Sequence, residues 1–158
     1  GIIRSHYVGR TFIQPSDGVR HAGVKRKHNA NRALVEGKRI VLIDDSIVRG
    51  TTSMQIVEMM RDAGAIEVHF RVASPPTAHS CFYGVDTPDK NELIAATHSL
   101  DKIRDHIEAD SLGYLSLEGL QQAVQDRGEE YCYSCYTGDY PTDLVGIEQL
   151  VADHREKG

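Results

Sequence analysis

Long apolar runs are missing from this 158-residue chain, and the longest covers only a few positions, so no transmembrane helix is expected. There is no basic-then-apolar opening of the kind that marks a secretory signal. Internal repeats and low-complexity linkers are also absent. Cysteine is scarce and odd in number: Cys81, Cys132 and Cys135. Three cysteines argue against a closed disulfide framework and for free or metal-bound thiols in a reducing compartment, so a cytoplasmic location is expected. What remains is an ordinary globular balance, 40% hydrophobic and 26% charged, which excludes collagen-like, mucin-like and wholly disordered chains. The length suits one domain with a real core. The first residue is Gly1 rather than Met, so a piece of a longer protein is expected.

Charge is unevenly spread. The formal net charge is −5, yet residues 1–40 carry nine Lys/Arg against Asp17 and Glu36, which makes that segment +7 and leaves −12 for the rest. A basic segment on an acidic chain points to an anionic partner, either a polyphosphate ligand or nucleic acid, with a solvated basic face as the plain alternative.

Residues 1–38 have little periodicity and five glycines, and read as a strand start near Gly1 to Ile3 followed by a long basic loop. Residues 39–45, RIVLIDD, read as a strand buried on both faces and ended by two acids. From Thr51 to Ala63 the spacing of Ile56, Met60 and Ala63 predicts an amphipathic helix, stopped by Gly64. Residues 67–74, EVHFRVAS, alternate as a second strand that Pro75-Pro76 ends. Residues 39–74 therefore form a strand–loop–helix–strand unit of a parallel sheet. Two short helical segments follow over 92–100 and 101–109, then a short strand at Tyr114-Leu115. A helix is expected over 117–125, capped by Ser116 and stopped at Gly128, and a last amphipathic helix over 144–156 is capped by Asp143. The domain is expected to span residues 1–142, with residues 143–158 as a C-terminal helix.

In open parallel sheets ligands bind beyond the carboxyl ends of the strands. Asp44 and Asp45 stand at such an end, and the chain then runs Ser46-Ile47-Val48-Arg49-Gly50-Thr51-Thr52-Ser53 into a helix. Gly50 permits close backbone approach, while Thr51, Thr52 and Ser53 set hydroxyls beside the free N–H groups of the first helical turn. This is a phosphate cradle without the Walker pattern. The plain alternative is a turn followed by an N-cap. Paired acids beside a phosphate cradle suit a sugar phosphate, since carboxylates accept from vicinal hydroxyls while the cradle holds the phosphate.

VLIDDSIVRGTTS, residues 41–53, resembles the phosphoribosyl-pyrophosphate (PRPP) motif of type I phosphoribosyltransferases. YVGRTFIQP at 7–15, KRKHNANR at 25–32, SPPTAHSCFYGVDTP at 74–88 and ELIAATHS at 92–99 resemble the glutamine PRPP amidotransferase family, and the resemblance runs to about Asp143. It implies an α/β fold, a type I phosphoribosyltransferase-like parallel sheet flanked by helices, incomplete at its N-terminal side and with a helical C-terminal region. It further implies transfer of ammonia to PRPP, the first committed step of purine synthesis. Asp44 and Asp45 would hold the ribose hydroxyls and organise Mg²⁺, and Ser46, Arg49, Gly50, Thr51, Thr52 and Ser53 would bind the 5′-phosphate end. Arg4 would contact PRPP and Arg10 would serve catalysis, both on a flexible basic loop that closes over the substrate. The family's glutaminase domain, pyrophosphate loop and first sheet strand would lie upstream of Gly1, and the isolated chain would be impaired. A homo-oligomer without membrane or nucleic-acid partners is expected.

The C-x-x-C of Cys132 and Cys135, with distant Cys81, has a spacing compatible with metal ligation but leaves a four-ligand site one short. The resemblance implies a [4Fe–4S] cluster on Cys81, Cys132 and Cys135, with the fourth ligand upstream, and zinc with His79 is the other possibility. His69 is placed on a strand face and His154 at a solvated helix end, while His6, His21 and His28 belong to the basic segment.

Two other readings compete. A response-regulator receiver also has paired acids after its first strand, but needs a phosphoacceptor Asp after a later strand, where this chain has Ala73-Ser74-Pro75-Pro76. A PRPP-binding transcription regulator on the same fold would turn the basic segment toward DNA, with a steep salt dependence.

Overall fold

The computed structural model describes residues 2–4, 28–126 and 130–147. Strand β1 (Ile2–Arg4) pairs antiparallel with β2 (His28–Ala30), setting Ile2 opposite Ala30. One helical turn, α1 (Arg32–Val35), follows and buries Val35 in the core. The expected loop through residue 38 is therefore corrected over residues 28–35, which hold a strand and a helical turn too short to show a period. The rest of the basic segment, residues 5–27, lies outside the described residues, and with it Arg10, His6 and His21.

The centre is the expected unit: β3 (Arg39–Asp44), α2 (Thr51–Asp62) and β4 (Glu67–Val72). β3 and β4 are parallel and in register from Arg39 opposite Glu67 to Asp44 opposite Val72. β5 (Ser111–Tyr114) extends the sheet in parallel beside β4, with His69 opposite Ser111 and Val72 opposite Tyr114. The strand begins three residues before the expected Tyr114, because Ser111 and Leu112 complete a ladder that a single apolar residue does not announce. Between β4 and β5 run a 3₁₀ turn (Lys90–Glu92), α3 (Ile94–Thr97) and α4 (Leu100–His106). Ser99 caps α4, its hydroxyl accepting from the Lys102 N–H, and Ser116 caps α5 (Leu117–Ala123), accepting from the Gly119 N–H at 3.0 Å. A last turn, α6 (Ser134–Thr137), holds Cys135. Asp143 accepts the Val145 N–H at 3.1 Å, but residues 145–146 form a turn with Gly146 at φ +85°, so the expected final helix does not begin at Leu144; residues 148–158, Gly128 and His154 lie outside the described residues.

The strand order β3–β4–β5 advances in one direction. Right-handed crossovers then place both connections on the same face. Leu42, Val68, Phe70, Val72 and Leu112 accordingly form one core with Ile56, Val57 and Met60 of α2 and with Ile103 of α4 and Ile107 just beyond it. Asp110 ties the layers together, accepting the Val68 N–H at 2.6 Å and an Arg61 guanidinium N–H at 2.9 Å.

The other face is open among the described residues, and here the expectation for β3 is corrected. Val41 is 63% and Ile43 74% exposed, so this strand buries one face only. A polar strip lies across the same face: His69 bonds Glu67 Oε2 and Ser111 Oγ at 2.9 Å each, and Arg39 donates to Glu67 at 2.7 Å.

The two faces differ in what they contribute to stability. Phe70→Ala, on the closed face, should lower the unfolding free energy of the chain by about 3–5 kcal/mol in urea titration. Val41→Ala, on the open face, should lower it by less than about 1 kcal/mol. Equal losses would contradict the one-faced core.

Candidate functional site

The parallel register delivers the ends of β3 and β4 to the same edge. The Ala73 N–H donates to the Asp44 carbonyl at 2.9 Å, so the chains leave the sheet side by side. Asp44 is partly buried there, and Asp45 is exposed. The Asp45 N–H donates to Asp44 Oδ1 at 3.0 Å, and the Ser46 hydroxyl donates to Asp45 Oδ1 at 3.1 Å. Burial holds the Asp44 carboxyl above its ordinary value, the neighbouring Asp45 charge adds to this, and the Asp45 N–H works against it.

The loop from Ser46 to Gly50 is braced from below. Ile47 is 2% exposed and anchors it in the core. The Val48 carbonyl accepts the Ile94 N–H at 2.9 Å, and Arg49 Nε pairs with Glu92 Oε2 at 2.8 Å. Gly50 is the N-cap of α2 at φ +81°, and no side chain caps the helix. A β-carbon on Gly50 would stand 2.9 Å from His106 Cδ2 and 3.1 Å from Ile94 Cδ1, so both the backbone conformation and the space demand glycine. The first turn of α2 holds no acid. Its free N–H groups and positive dipole end face the acid pair across one short loop, an arrangement that can take the two ends of a sugar phosphate. Thr51 is half-buried and Thr52 exposed, whereas Ser53 is 3% exposed and turned to the interior.

The structure thus brings Asp44, Asp45, Ser46, Gly50, Thr51 and Thr52 to one edge. It draws Arg49 into an ion pair with Glu92. Arg4 is described only as backbone in β1.

Cys81 lies on the chain leaving β4, and Cys135 lies on the segment that returns to it, its carbonyl accepting the Ala78 and His79 N–H groups at 3.1 Å. Tyr140 Oη donates to the Ser80 carbonyl at 2.6 Å, and its ring lies 5.3 Å from that of Phe82. The Cys81 N–H donates to Thr87 Oγ1 at 2.8 Å. All three thiols are free, and Cys135 feels both Cys81 and Cys132. Hydrogen bonds from Ser134 hold Cys132 below the ordinary thiol value, while burial pushes Cys135 up. Among the described residues no group of three or more His, Cys, Asp or Glu is arranged to hold a metal ion. His79, the other ligand considered for zinc, lies against Gly138, where a β-carbon would stand 2.7 Å from its Cε1.

Glu92, His106 and Ser74 belong to this edge and were not singled out by the sequence. Only Ser74, directly after an alternating strand and before Pro75, carried a local signal.

No protein-family model matches the chain. It is 58% identical over 141 residues to an Arabidopsis thaliana protein named amidophosphoribosyltransferase 2, chloroplastic, covering 89% of this chain and 25% of the relative. It is 53% identical over 148 residues to Bacillus subtilis amidophosphoribosyltransferase, covering 91% of this chain and 31% of the relative. A solved structure titled as the allosteric regulatory enzyme of purine biosynthesis superposes with a TM-score of 0.76 at 54% identity, covering 91% of this chain and 32% of its own. The B. subtilis glutamine PRPP amidotransferase complexed with ADP and GMP superposes with a TM-score of 0.75 at 54% identity, over the same shares. The chain thus spans a quarter to a third of the length of these relatives, and its fold is that of the matching part of the solved structures.

Two outcomes follow from this geometry. Gly50→Ala should cost about 1–3 kcal/mol in thermal or urea unfolding, combining the left-handed backbone with the clash. His106→Ala in the same background should recover only the part owed to the clash, and an unchanged midpoint for Gly50→Ala would contradict the packing. Asp44 sets a pH dependence. Its folded value lies above the ordinary 3.8, so the native state binds the extra proton between the two values. Stability then falls as pH rises through that window, and the cost is fully present above it. Asp44→Asn removes this drop, so the difference between wild-type and variant stability should widen in the variant's favour from acid to neutral pH. Parallel profiles would contradict it.

Proposed function

We propose that this chain, which over the segment it spans belongs to the amidophosphoribosyltransferase family, supplies the sugar-phosphate site of an enzyme that transfers ammonia to PRPP, giving 5-phosphoribosylamine and pyrophosphate. The observation that carries the reading is the junction of the paired acids at the end of β3 with the glycine-opened, acid-free N-terminus of α2.

In this reading Asp44 and Asp45 accept hydrogen bonds from the ribose hydroxyls, and the N–H groups of Thr51, Thr52 and Ser53 with the Thr51 and Thr52 hydroxyls hold the 5′-phosphate. The Ile47 anchor and the Val48 and Arg49 contacts keep the loop in its binding shape, so little ordering is left for the substrate to drive. At C1 the bond to the pyrophosphate oxygen breaks and a bond to the ammonia nitrogen forms, with an oxocarbenium-like transition state and loss of a proton from nitrogen. Arg4 and Arg10 would neutralise the departing pyrophosphate.

Two groups are proposed as residents. The donor set of Asp44 and Asp45, two hard carboxylates at a sheet edge, suits Mg²⁺, whose chemistry when bound is to offset the pyrophosphate charge. Cys81, Cys132 and Cys135 are soft donors, with Cys135 in electrostatic reach of the other two, and would hold a [4Fe–4S] cluster with a fourth ligand from elsewhere in the complete protein. Iron and labile-sulfide assay of the anaerobically purified complete protein, against one equivalent of zinc, decides between the two metals.

The proposal includes a glutaminase domain in the complete chain as the source of ammonia, a homo-oligomer, and no nucleic-acid partner. No helix among the described residues is long and apolar enough to cross a membrane. The cytoplasm is the proposed compartment, although five plant relatives from three species are named chloroplastic.

In the complete protein, Asp44→Ala and Asp45→Ala should each lower PRPP turnover by roughly two orders of magnitude or more, on the order of 3 kcal/mol of transition-state stabilisation. Steady-state kinetics checks this, and near-wild-type rates for both would remove them from the site.

A further inference from the structure

Two stretches of chain far apart in sequence lie side by side at the thiols and are joined at successive levels. The Cys135 carbonyl accepts the Ala78 and His79 N–H groups. Gly138, which ends α6 at φ +81°, meets the His79 ring. Tyr140 Oη donates to the Ser80 carbonyl at 2.6 Å, and its ring lies 5.3 Å from that of Phe82 and 6.2 Å from that of Tyr83. The Thr142 N–H donates to Tyr83 Oη at 3.3 Å. The residue numbers rise together on both sides, so the stretches run in the same direction, one carrying Cys81 and the other Cys132 and Cys135.

Each cysteine is also held by groups of this chain. The Cys81 N–H donates to the hydroxyl of buried Thr87, and its sulfur accepts the Tyr83 N–H at 3.4 Å. Cys132 Sγ lies 3.3 Å from the hydroxyl of Ser134, which is 4% exposed. Cys135 is tied through its carbonyl. Groups behind the ligands of a metal site set where those ligands stand, and losing them weakens metal binding.

His79 takes part in this junction twice. Its N–H is bonded to Cys135, and its half-buried ring fills the space over Gly138. A β-carbon on Gly138 would stand 2.7 Å from Cε1, 3.0 Å from Nε2 and 3.1 Å from Nδ1 of that ring. A larger residue would strain the left-handed end of the turn and drive the ring and α6 apart. With glycine the turn settles on the imidazole, and the ring sets the distance of α6 from the chain leaving β4.

We propose that His79 is a positioning residue for the thiols, a spacer that keeps Cys135 at a fixed distance from Cys81, and not itself a ligand. This rests on the reading of Cys81, Cys132 and Cys135 as metal ligands.

The test is release of metal to excess chelator from the anaerobically purified complete protein, followed by visible absorption and by iron, labile-sulfide and zinc assay. His79→Phe keeps a ring and removes both nitrogens, so its release rate should stay within about two-fold of wild type with the same spectrum. Gly138→Ala should release metal roughly ten-fold faster. Adding His79→Ala to Gly138→Ala should recover most of that loss, leaving the part owed to the left-handed backbone. Hydrogen exchange at the Ala78 and His79 amides should be faster in Gly138→Ala than in wild type, which reads the junction without reference to metal. Complete loss of metal from His79→Phe would make the ring a ligand and overturn the inference. A wild-type release rate for Gly138→Ala, or a double variant no better than Gly138→Ala, would also overturn it. In each of these cases the wild type keeps its metal and the cysteine reading stands. Wild-type protein free of iron and zinc would bring down the cysteine reading and this inference with it.

Discussion

The six-residue parallel register between β3 and β4 is the constraint on which the acidic edge depends. Asp44 opposite Val72 means that both chains leave the sheet at the same height, and the Ala73 N–H to the Asp44 carbonyl locks that exit. A slip of one residue would turn Leu42 and Asp44 to the open face and bring Val41 and Ile43 into the core. The closed face resists that, because Leu42 packs with Val68, Phe70 and the apolar stripe of α2. Hydrophobic burial on one face therefore positions two carboxylates that are themselves costly to bury.

From that edge the chain must turn sharply into α2, and the turn is held by unlike contacts rather than by one. Ile47 is anchored by burial, the Val48 carbonyl by a backbone bond, Arg49 by an ion pair and Gly50 by shape. The exposed Arg49–Glu92 pair contributes little stability by itself, since such pairs are screened by water. Its effect is directional: it turns the guanidinium toward the 3₁₀ turn at Lys90–Glu92. The loop meets its ligand preformed, with donors on one side and acceptors on the other.

Much of this was legible in the sequence, for identifiable reasons. The strand, loop, helix and strand of residues 39–74 have clear periods and clear stops, and a glycine before three hydroxyls at a helix start is a local pattern. The one-sided burial of β3 was not legible, because Ile40, Val41, Leu42 and Ile43 are all apolar and such a run reads the same whichever faces are covered. The segment at residues 28–35 is too short for periodicity to register its strand and turn. Arg49 looked free for a phosphate because Glu92 is 43 residues away. The Ala78 and His79 N–H groups meet the Cys135 carbonyl only because α6 folds back onto the chain leaving β4. Local chemistry was readable, and long-range pairing was not.

The central claim is that the edge formed by Asp44, Asp45 and the start of α2 holds a phosphorylated ribose. The most direct measurement is a crystal structure of the complete protein with Mg²⁺ and a non-reactive PRPP analogue. The account predicts ribose hydroxyl density within hydrogen-bonding distance of the Asp44 and Asp45 carboxylates, and the 5′-phosphate on the N–H groups of Thr51, Thr52 and Ser53. An ordered analogue elsewhere on the sheet, with this edge filled only by solvent, would contradict it.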